Sequence, residues 1–400
     1  SVTLRLCGKL RVVLSELACT MKKILKKFAS LRITVVVLIA GMMLVLAGTL
    51  AQTHMPIREA QKIYFQSFVV PIHLNNGMSI PVLPGGYTLG IIMIFNLTCA
   101  YLTTFKWSFK RMGILIMHSG ILLLLLGQLF TDLYSVESQM VLNHGDAKNY
   151  TEALYDFELV LIDTSGKDVD RVYSIPQSKI ATGNMIADSR LPIAISVKEF
   201  ITNANLTMGV NTIATQGFGQ RVQAVPAPPV KGDDKRNLRC AYVDLISNGK
   251  SLGTWMLSTA FMKADQIEID GKTYDIQMRH RRYMLPMTIQ LQEFEHKRFT
   301  GTNVPAAFSS RVRLVDPVQH EDRMITISMN QPLRYAGKTF YQAGFANEDK
   351  TTILQVVLNP AAMLPYIACI LVTLGMTWHF VAHFIKFRKQ QTKRDTEVKA

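Results

Sequence analysis

The sequence predicts a multi-pass α-helical membrane protein of four transmembrane helices, with a large external all-β domain between the third and the fourth. Three observations carry that expectation. Four stretches are long and apolar enough to cross a bilayer, which takes about 20 residues at 1.5 Å each. The basic side chains crowd beside those stretches and leave the rest of the chain neutral. The polar region before the last span breaks into short alternating runs punctuated by turn residues.

The predicted order starts with a basic N-terminus over 1–31, followed by a first span over 32–50. An external loop covers 51–86, a second span 87–105, a short turn 106–111 and a third span 112–130. The β-rich region occupies 131–360, the last span 361–385 and a basic tail 386–400. Residues 1–20 contain no methionine, whereas Met21-Lys-Lys-Ile-Leu-Lys-Lys27 reads like the start of a membrane anchor. The first twenty residues are therefore expected to be an extension without function. The first span lacks a small-residue cleavage site followed by a polar mature start, so it reads as an uncleaved anchor rather than a signal peptide.

Charge assigns the sides. The chain carries 44 Lys and Arg against 29 Asp and Glu, a net charge of +15. Residues 131–360 hold 25 of each sign, which leaves 19 basic and 4 acidic residues elsewhere. Most of those 19 precede the first span, fill the 106–111 turn or follow the last span. The positive-inside rule then places both termini and that turn in the cytoplasm, and the loop 51–86 and the β region outside. In a bacterium this means the inner membrane with a periplasmic domain. A basic chain can signal nucleic-acid binding, but 48% hydrophobic and 18% charged composition fits a bilayer instead. No nucleic-acid partner is expected.

Within the β region, Phe157–Ile162, Ala241–Ile246 and Gln266–Gln277 alternate as strands do. Asn248-Gly249 and Asp270-Gly271 supply strong hairpin signals. Further strands are expected at 288–294, 311–315, 324–329 and 352–358. Such recurring short strands imply a sandwich or open barrel. The Pro/Gly/Ala-rich stretch 216–232 reads as a flexible excursion or a seam between two β lobes. In the outer loop, 58–69 is expected as a short amphipathic helix lying against lipid or the β domain.

Several chemistries have no foothold. The five cysteines, at 7, 19, 99, 240 and 369, form no C-x-x-C, which argues against a redox pair, a zinc knuckle or covalently attached haem. No Walker loop, G-x-S-x-G or H-E-x-x-H occurs. Cys99 and Cys369 are expected to be buried small apolar residues. The basic knot Arg279-His-Arg-Arg282 reads as a solvated strand end that could also meet an acidic group.

The most informative residue is His118, in Ile116-Met-His-Ser-Gly-Ile121 of the third span. An ionisable side chain inside a span is costly, and so points to function. A neutral imidazole offers a lone pair to a transition metal such as haem iron, the alternative being a bond across helices. In the last span, His379 and His383 share one helix face. Counted from the cytoplasmic end, His379 falls near the depth of His118, which would permit an intramolecular pair. His383 and Trp378 fit an interfacial belt.

Taken together, Ala60-Gln-Lys-Ile-Tyr-Phe65, Ile80-Pro-Val-Leu-Pro-Gly-Gly86, His118-Ser-Gly120, Phe308-Ser-Ser-Arg-Val-Arg-Leu-Val-Asp316, Ile327-Ser-Met-Asn-Gln-Pro-Leu-Arg-Tyr-Ala-Gly337, Phe340-Tyr-Gln342 and Asn359-Pro360 form an ordered set. In that order, and with this architecture, the chain resembles ResB (CcsB), the smaller membrane component of system II cytochrome c maturation, from Met21 to Phe384. The resemblance implies work with a CcsA-like (ResC-like) partner to move haem outward and attach it to apocytochrome c. It also implies that His118 ligates haem b, bound transiently as a substrate is, opposite a histidine of that partner. His379 is the alternative ligand. The chain would then be half of a haem lyase with no catalytic residue of its own. Its external region would meet apocytochrome or a thioredoxin-like reductant. Three other readings stay open: an export subunit, a self-contained b-type haem electron carrier, and a scaffold that docks cytochromes.

Overall fold

Four helices in the computed structural model are long and apolar enough to span a bilayer. It describes residues 20–73, 79–104, 108, 111–166, 169–209, 212–228, 230, 237–299, 301, 305–347 and 350–397. The expected 1–20 extension apart from Thr20, and the 106–111 turn apart from Ser108 and Arg111, lie outside those residues. The chain divides into two units, one of residues 1–135 and 359–400, the other of residues 136–230 and 234–358.

The first unit holds helices α1 (Leu31–Ala51), α2 (Gly86–Thr104), α3 (Met112–Tyr134) and α4 (Leu364–Glu397). Ser30 starts α1 by accepting a hydrogen bond from the Arg32 amide at 3.3 Å, which satisfies one of the helix's unpaired donors. Helix α4 runs twelve residues past the expected span end at 385. Its extension, Lys386–Glu397, is rich in Lys, Arg and Gln, residues that favour helix without needing a packed face.

The outer loop departs from the expected amphipathic helix. Helix runs only over Ile57–Ala60, passes into a π turn over Gln61–Phe65, and gives way to a hairpin of β1 (Val69–His73) and β2 (Ser79–Pro84). Its Tyr64 and Phe65 pack inside the unit, while Phe68 is exposed. A Cβ on Gly48 of α1 would lie 2.8 Å from the Phe65 ring, so the glycine makes room for it. Polar clamps tie the rest together. Buried Asn96 of α2 accepts from the Thr34 hydroxyl at 2.8 Å and donates to the Phe28 carbonyl at 2.5 Å. At the other end of the helices, Tyr87 and Gln66 both donate to the Asp132 carboxylate.

Helices α3 and α4 are antiparallel and touch backbone to backbone. A Cβ on Gly375 would sit 2.4 Å from the Met117 amide, and one on Gly120 would sit 2.8 Å from the Ala368 carbonyl. Gly113 meets the backbone of His379 in the same way, and Gly127 meets Leu364. Between apolar helices in lipid, hydrophobic burial drives little association, so close van der Waals packing at small residues carries the contact.

The second unit is built on two long, bent strands, β4 (Ala147–Asp163) and β13 (Lys272–Arg298). One large sheet runs β15 (Glu321–Ser328), β14 (Pro305–Asp316), β13, β4, β3 (Val136–Asn143), β18 (Thr351–Leu358), β17 (Lys338–Ala346), β16 (Leu333–Tyr335). β5 (Arg171–Pro176) and β12 (Asp265–Ile269) flank the far ends of β4 and β13. The near half of this sheet encloses a core of Met140, Leu142, Met287, Ile289, Val312, Phe340 and Leu354. Inside it, the buried Ser310 hydroxyl donates to Gln342 Oε1 at 2.6 Å and pairs with the Thr352 hydroxyl at 2.7 Å. The far half packs Leu159, Leu161, Ile276 and Met278 against a second sheet. That sheet runs β11 (Lys250–Ser258), β10 (Cys240–Ser247), β7 (Ala194–Ile201), β6 (Met185–Ile186).

Two lobes were therefore readable, but their seam lies elsewhere than expected. The 216–232 stretch contributes a short strand, β9 (Val222–Pro226), which pairs with β8 (Ala204–Met208). The lobes join where β4 and β13 lose register, between Glu152↔Arg282 and Phe157↔His280. Such a bulge bends a strand and lets one strand serve two cores. Both expected hairpins form, Asn248-Gly249 and Asp270-Gly271 each having positive φ at both residues, as a type I′ turn requires. Ala336-Gly337 makes a third with the same backbone signs.

The basic knot lies at that bulge, where two of its three arginines are paired and Arg281 is exposed. Arg279 pairs with Glu158 at 3.0 Å, and their side chains are 12% and 6% exposed. Arg282 pairs with Glu152 at 3.2 Å and lies over the Tyr150 ring, 4.1 Å from its centre. Cys99 and Cys240 are buried, whereas Cys369 is exposed on α4.

Candidate functional site

His118 lies on α3, so its direction follows from the helical repeat. Gly113, Gly120 and Gly127 recur every seven residues, close to two turns, and form the face pressed onto α4. Two residues earlier than Gly120, His118 is rotated about 160° from that face. Its ring consequently joins the opposite side of α3 and lines a cavity of about 270 Å³ against α2. Leu97, Ala100 and Tyr101 come from α2, Ile114, Leu115 and His118 from α3, and Arg111 from the position that caps α3. These last four lie at i, i+3, i+4 and i+7, the spacing of one helix face. Apart from the imidazole, the Tyr101 hydroxyl and the guanidinium at the Arg111 end, these walls are apolar.

Hydrogen bonding decides the form of the imidazole. Nδ1 of His118 lies 2.8 Å from the Ile114 carbonyl oxygen, which can only accept, so Nδ1 carries the proton. In the neutral ring, Nε2 then keeps its lone pair, the arrangement in which a backbone carbonyl orients a metal-ligating histidine. The alternative of a histidine bonded across helices is not what forms, since this bond stays within one turn of α3. Nearby polar groups satisfy one another instead. Tyr101 donates to the Leu115 carbonyl at 3.0 Å and pairs with the Ser119 hydroxyl.

The intramolecular pairing with His379 fails on geometry. His379 meets Gly113 across the glycine seam, five residues and about 7.5 Å along the axis from His118. The His379 backbone packs on the glycine face of α3, whereas His118 lines the cavity on the α2 side. Depth counted from an assumed helix end put them level, but the register is set by where glycines allow the backbones to touch. The nearest partner of His379 is His383, with ring centres 4.2 Å apart. His383 is exposed and its Nδ1 donates to the His379 carbonyl at 3.0 Å.

The donor set suits one face of a planar metal macrocycle: an apolar wall, a nitrogen lone pair and a cation. Reasoning from the sequence alone treated Arg111 only as a topology signal. Its spacing of seven from His118 was the available sign that both share a face.

Comparison with known proteins bears on the β unit. Residues 263–364 match the ResB-like family. What matches is one segment of the chain. It begins just before β12, includes all of β13 to β18, and ends at the first residue of α4. It therefore contains the motifs Phe308–Asp316 and Ile327–Gly337, and it stops short of His118, which lies outside it. The chain is also 31% identical over 127 residues to Protein NrfI of Wolinella succinogenes, a match covering 32% of this chain and 14% of that protein. Within the ResB-like segment, Glu295, Lys297, Phe308, Ser309, Asn330 and Gln331 line an open concavity of about 400 Å³.

Proposed function

We propose that this chain is the ResB-like half of a system II cytochrome c maturation complex, and that His118 presents one axial nitrogen to haem b in transit. The observation that carries the reading is the state of His118: the Ile114 carbonyl fixes the Nδ1 proton, and the ring lines an apolar cavity on the free side of α3. When bound, haem would bring the iron that the attachment chemistry needs. This chain's residues would orient the ring, exclude water from one face and supply one ligand. The other face would be closed by a CcsA-like (ResC-like) membrane partner carrying the second histidine.

In this reading the four apolar helices lie in a bacterial inner membrane, with both termini cytoplasmic and the β unit periplasmic. The β unit, whose ResB-like segment supports the assignment to cytochrome c biogenesis, would receive apocytochrome c, with a thioredoxin-like reductant keeping the acceptor thiols reduced. The self-contained b-type alternative loses ground, because the His379 backbone packs on the glycine face of α3 and His118 lines the cavity on the α2 side.

The test is the haem absorption spectrum of the purified chain, alone and with the CcsA-like partner, each with and without His118→Ala. Haem that copurifies with the complex and is lost or weakened by His118→Ala is the expected result. Strong bis-histidine haem in the isolated chain, removed also by His379→Ala, would overturn it in favour of the electron carrier. Well-folded complex without haem in any form would leave the export or scaffold readings.

A further inference from the structure

The α2–α3 cavity has two chemically different ends. At one, His118 offers a lone pair. At the other, Arg111 lines the cavity, is exposed, and has no hydrogen bond or ion pair from its guanidinium among the described residues. Arg111 caps α3 and His118 follows seven positions on, about 10 Å along the axis at 1.5 Å per residue. Apolar walls of Leu97, Ala100 and Ile114 lie between. A pocket of this pattern selects a flat apolar body with a metal or acidic hydrogen at one point and a negative charge at one edge. Guanidinium is suited to that edge because its planar fork binds a carboxylate through two parallel N–H donors. In an apolar setting, such a pair is also worth more than in water.

We infer that Arg111 is the specificity-determining residue of the His118 cavity: its guanidinium binds a carboxylate of the ligand and fixes which edge of the ligand lies away from His118. The inference rests on the haem reading of that cavity and names the chemistry the ligand must carry besides its metal. His118 supplies coordination, and Arg111 supplies orientation and charge selection. Iron-free porphyrin with its carboxylates intact should therefore keep the Arg111 contact, whereas an esterified porphyrin should lose it. An anionic lipid could answer the same cation, but it would make no use of His118.

The experiment titrates the full-length chain in detergent, alone and in complex with its CcsA-like partner, with five probes: ferric protoporphyrin IX and its dimethyl ester, iron-free protoporphyrin IX and its dimethyl ester, and dioleoyl phosphatidylglycerol. Absorbance reports the iron-bearing probes, porphyrin fluorescence the iron-free ones, and competition against bound porphyrin the lipid. The unchanged chain should bind the free acid at least about tenfold tighter than the ester. Arg111→Gln should bring that ratio close to one, and Arg111→Lys should restore part of it. His118→Ala should abolish the iron-dependent spectral shift yet keep the preference of iron-free porphyrin for its acid form. Arg388→Gln, a basic residue of the α4 extension, should change nothing.

If porphyrin binds but Arg111→Gln leaves the acid-to-ester ratio intact, the inference is wrong while the haem reading stands. Displacement by phosphatidylglycerol equal in the unchanged chain and in His118→Ala, with no acid-to-ester preference, would make the cavity a lipid site and overturn the inference. If no porphyrin binds in any form, both the haem reading and the inference fall.

Discussion

The helical unit and the β unit bring chain segments together by opposite means. In the helices, closeness comes from removing side chains: Gly113, Gly120 and Gly375 let α3 and α4 meet at their backbones. In the β unit, it comes from filling space. Apolar residues of β4 and β13 supply two cores, and buried charge is admitted only where it is satisfied, Glu158 by Arg279 and Asp316 by two backbone amides and the Tyr335 hydroxyl. The contrast follows from what lies outside each unit. Apolar surface gains nothing by leaving lipid, so helices associate through shape and close contact. A domain in water is held by apolar burial, and any buried charge must be matched. The glycine seam also leaves α3 with a spare face, which is where His118 and Arg111 stand.

The sharpest way to break the comparison is to remove one partner of the buried pair. Arg279→Met leaves the Glu158 carboxylate with only the Ser174 hydroxyl at 2.5 Å. A buried charge stripped of its counter-ion costs about 3–5 kcal/mol. The denaturation midpoint of the β unit should fall accordingly, and Arg279→Met combined with Glu158→Gln should recover more than half of the loss. Little change in the single variant would mean that the bulge is held by packing rather than by charge.

Next in size is the glycine seam. Gly375→Val places branched carbons where the Met117 amide lies 2.4 Å from the first of them. Overpacking of this kind costs about 1–3 kcal/mol, and more when backbone must move. The thermal midpoint of the detergent-solubilised chain should drop, and porphyrin binding should weaken with it as α3 shifts. His118→Ala, on the other face, should leave the same midpoint within about 0.5 kcal/mol, as for a side chain whose removal creates no cavity in a packed core. Equal destabilisation by the two would erase the distinction between the faces of α3.

The smallest effect sharpens the β side. Asp316 accepts from the Val318 and Gln319 amides at 2.8 and 3.0 Å and from the Tyr335 hydroxyl at 2.9 Å. These bonds, the Gln319 amide foremost, hold its carboxyl below the usual carboxylate range. A carboxylate depressed on folding contributes stability above its unfolded pKa of about 3.9, and that stability is lost as pH falls through the lower folded value. Asp316→Asn should therefore be less stable than the unchanged chain at pH 6. It should lose less when the pH is lowered from 5 to 2.5, and parallel losses in the two would deny Asp316 that role.

What the sequence could and could not convey tracks the range of the interactions involved. The apolar spans at 32–50, 87–105, 112–130 and 361–385 were legible because length and composition are properties of contiguous residues. Helices found at Leu31–Ala51, Gly86–Thr104, Met112–Tyr134 and Leu364–Glu397 follow them closely, the last extended by a tail whose residues favour helix. The two hairpins were legible because a type I′ turn is a two-residue event. The inference about Arg279–Arg282 failed because Glu158 and Glu152 lie more than 120 positions earlier in the chain. The seam at the β4–β13 bulge was hidden for a similar reason, since register exists only between strands.

For the candidate site, the identity of His118 as an unusual residue belonged to the sequence alone, because an imidazole in an apolar span is costly wherever the helix turns. Its direction did not. That was decided when glycines at 113, 120 and 127 met Gly375, Ala368 and Leu364, which fixed the face of α3 given to α4 and turned His118 toward α2. The same seam set the register that parts His379 from His118. A single helix has a periodicity but no absolute phase, and only a second helix packed against it supplies one.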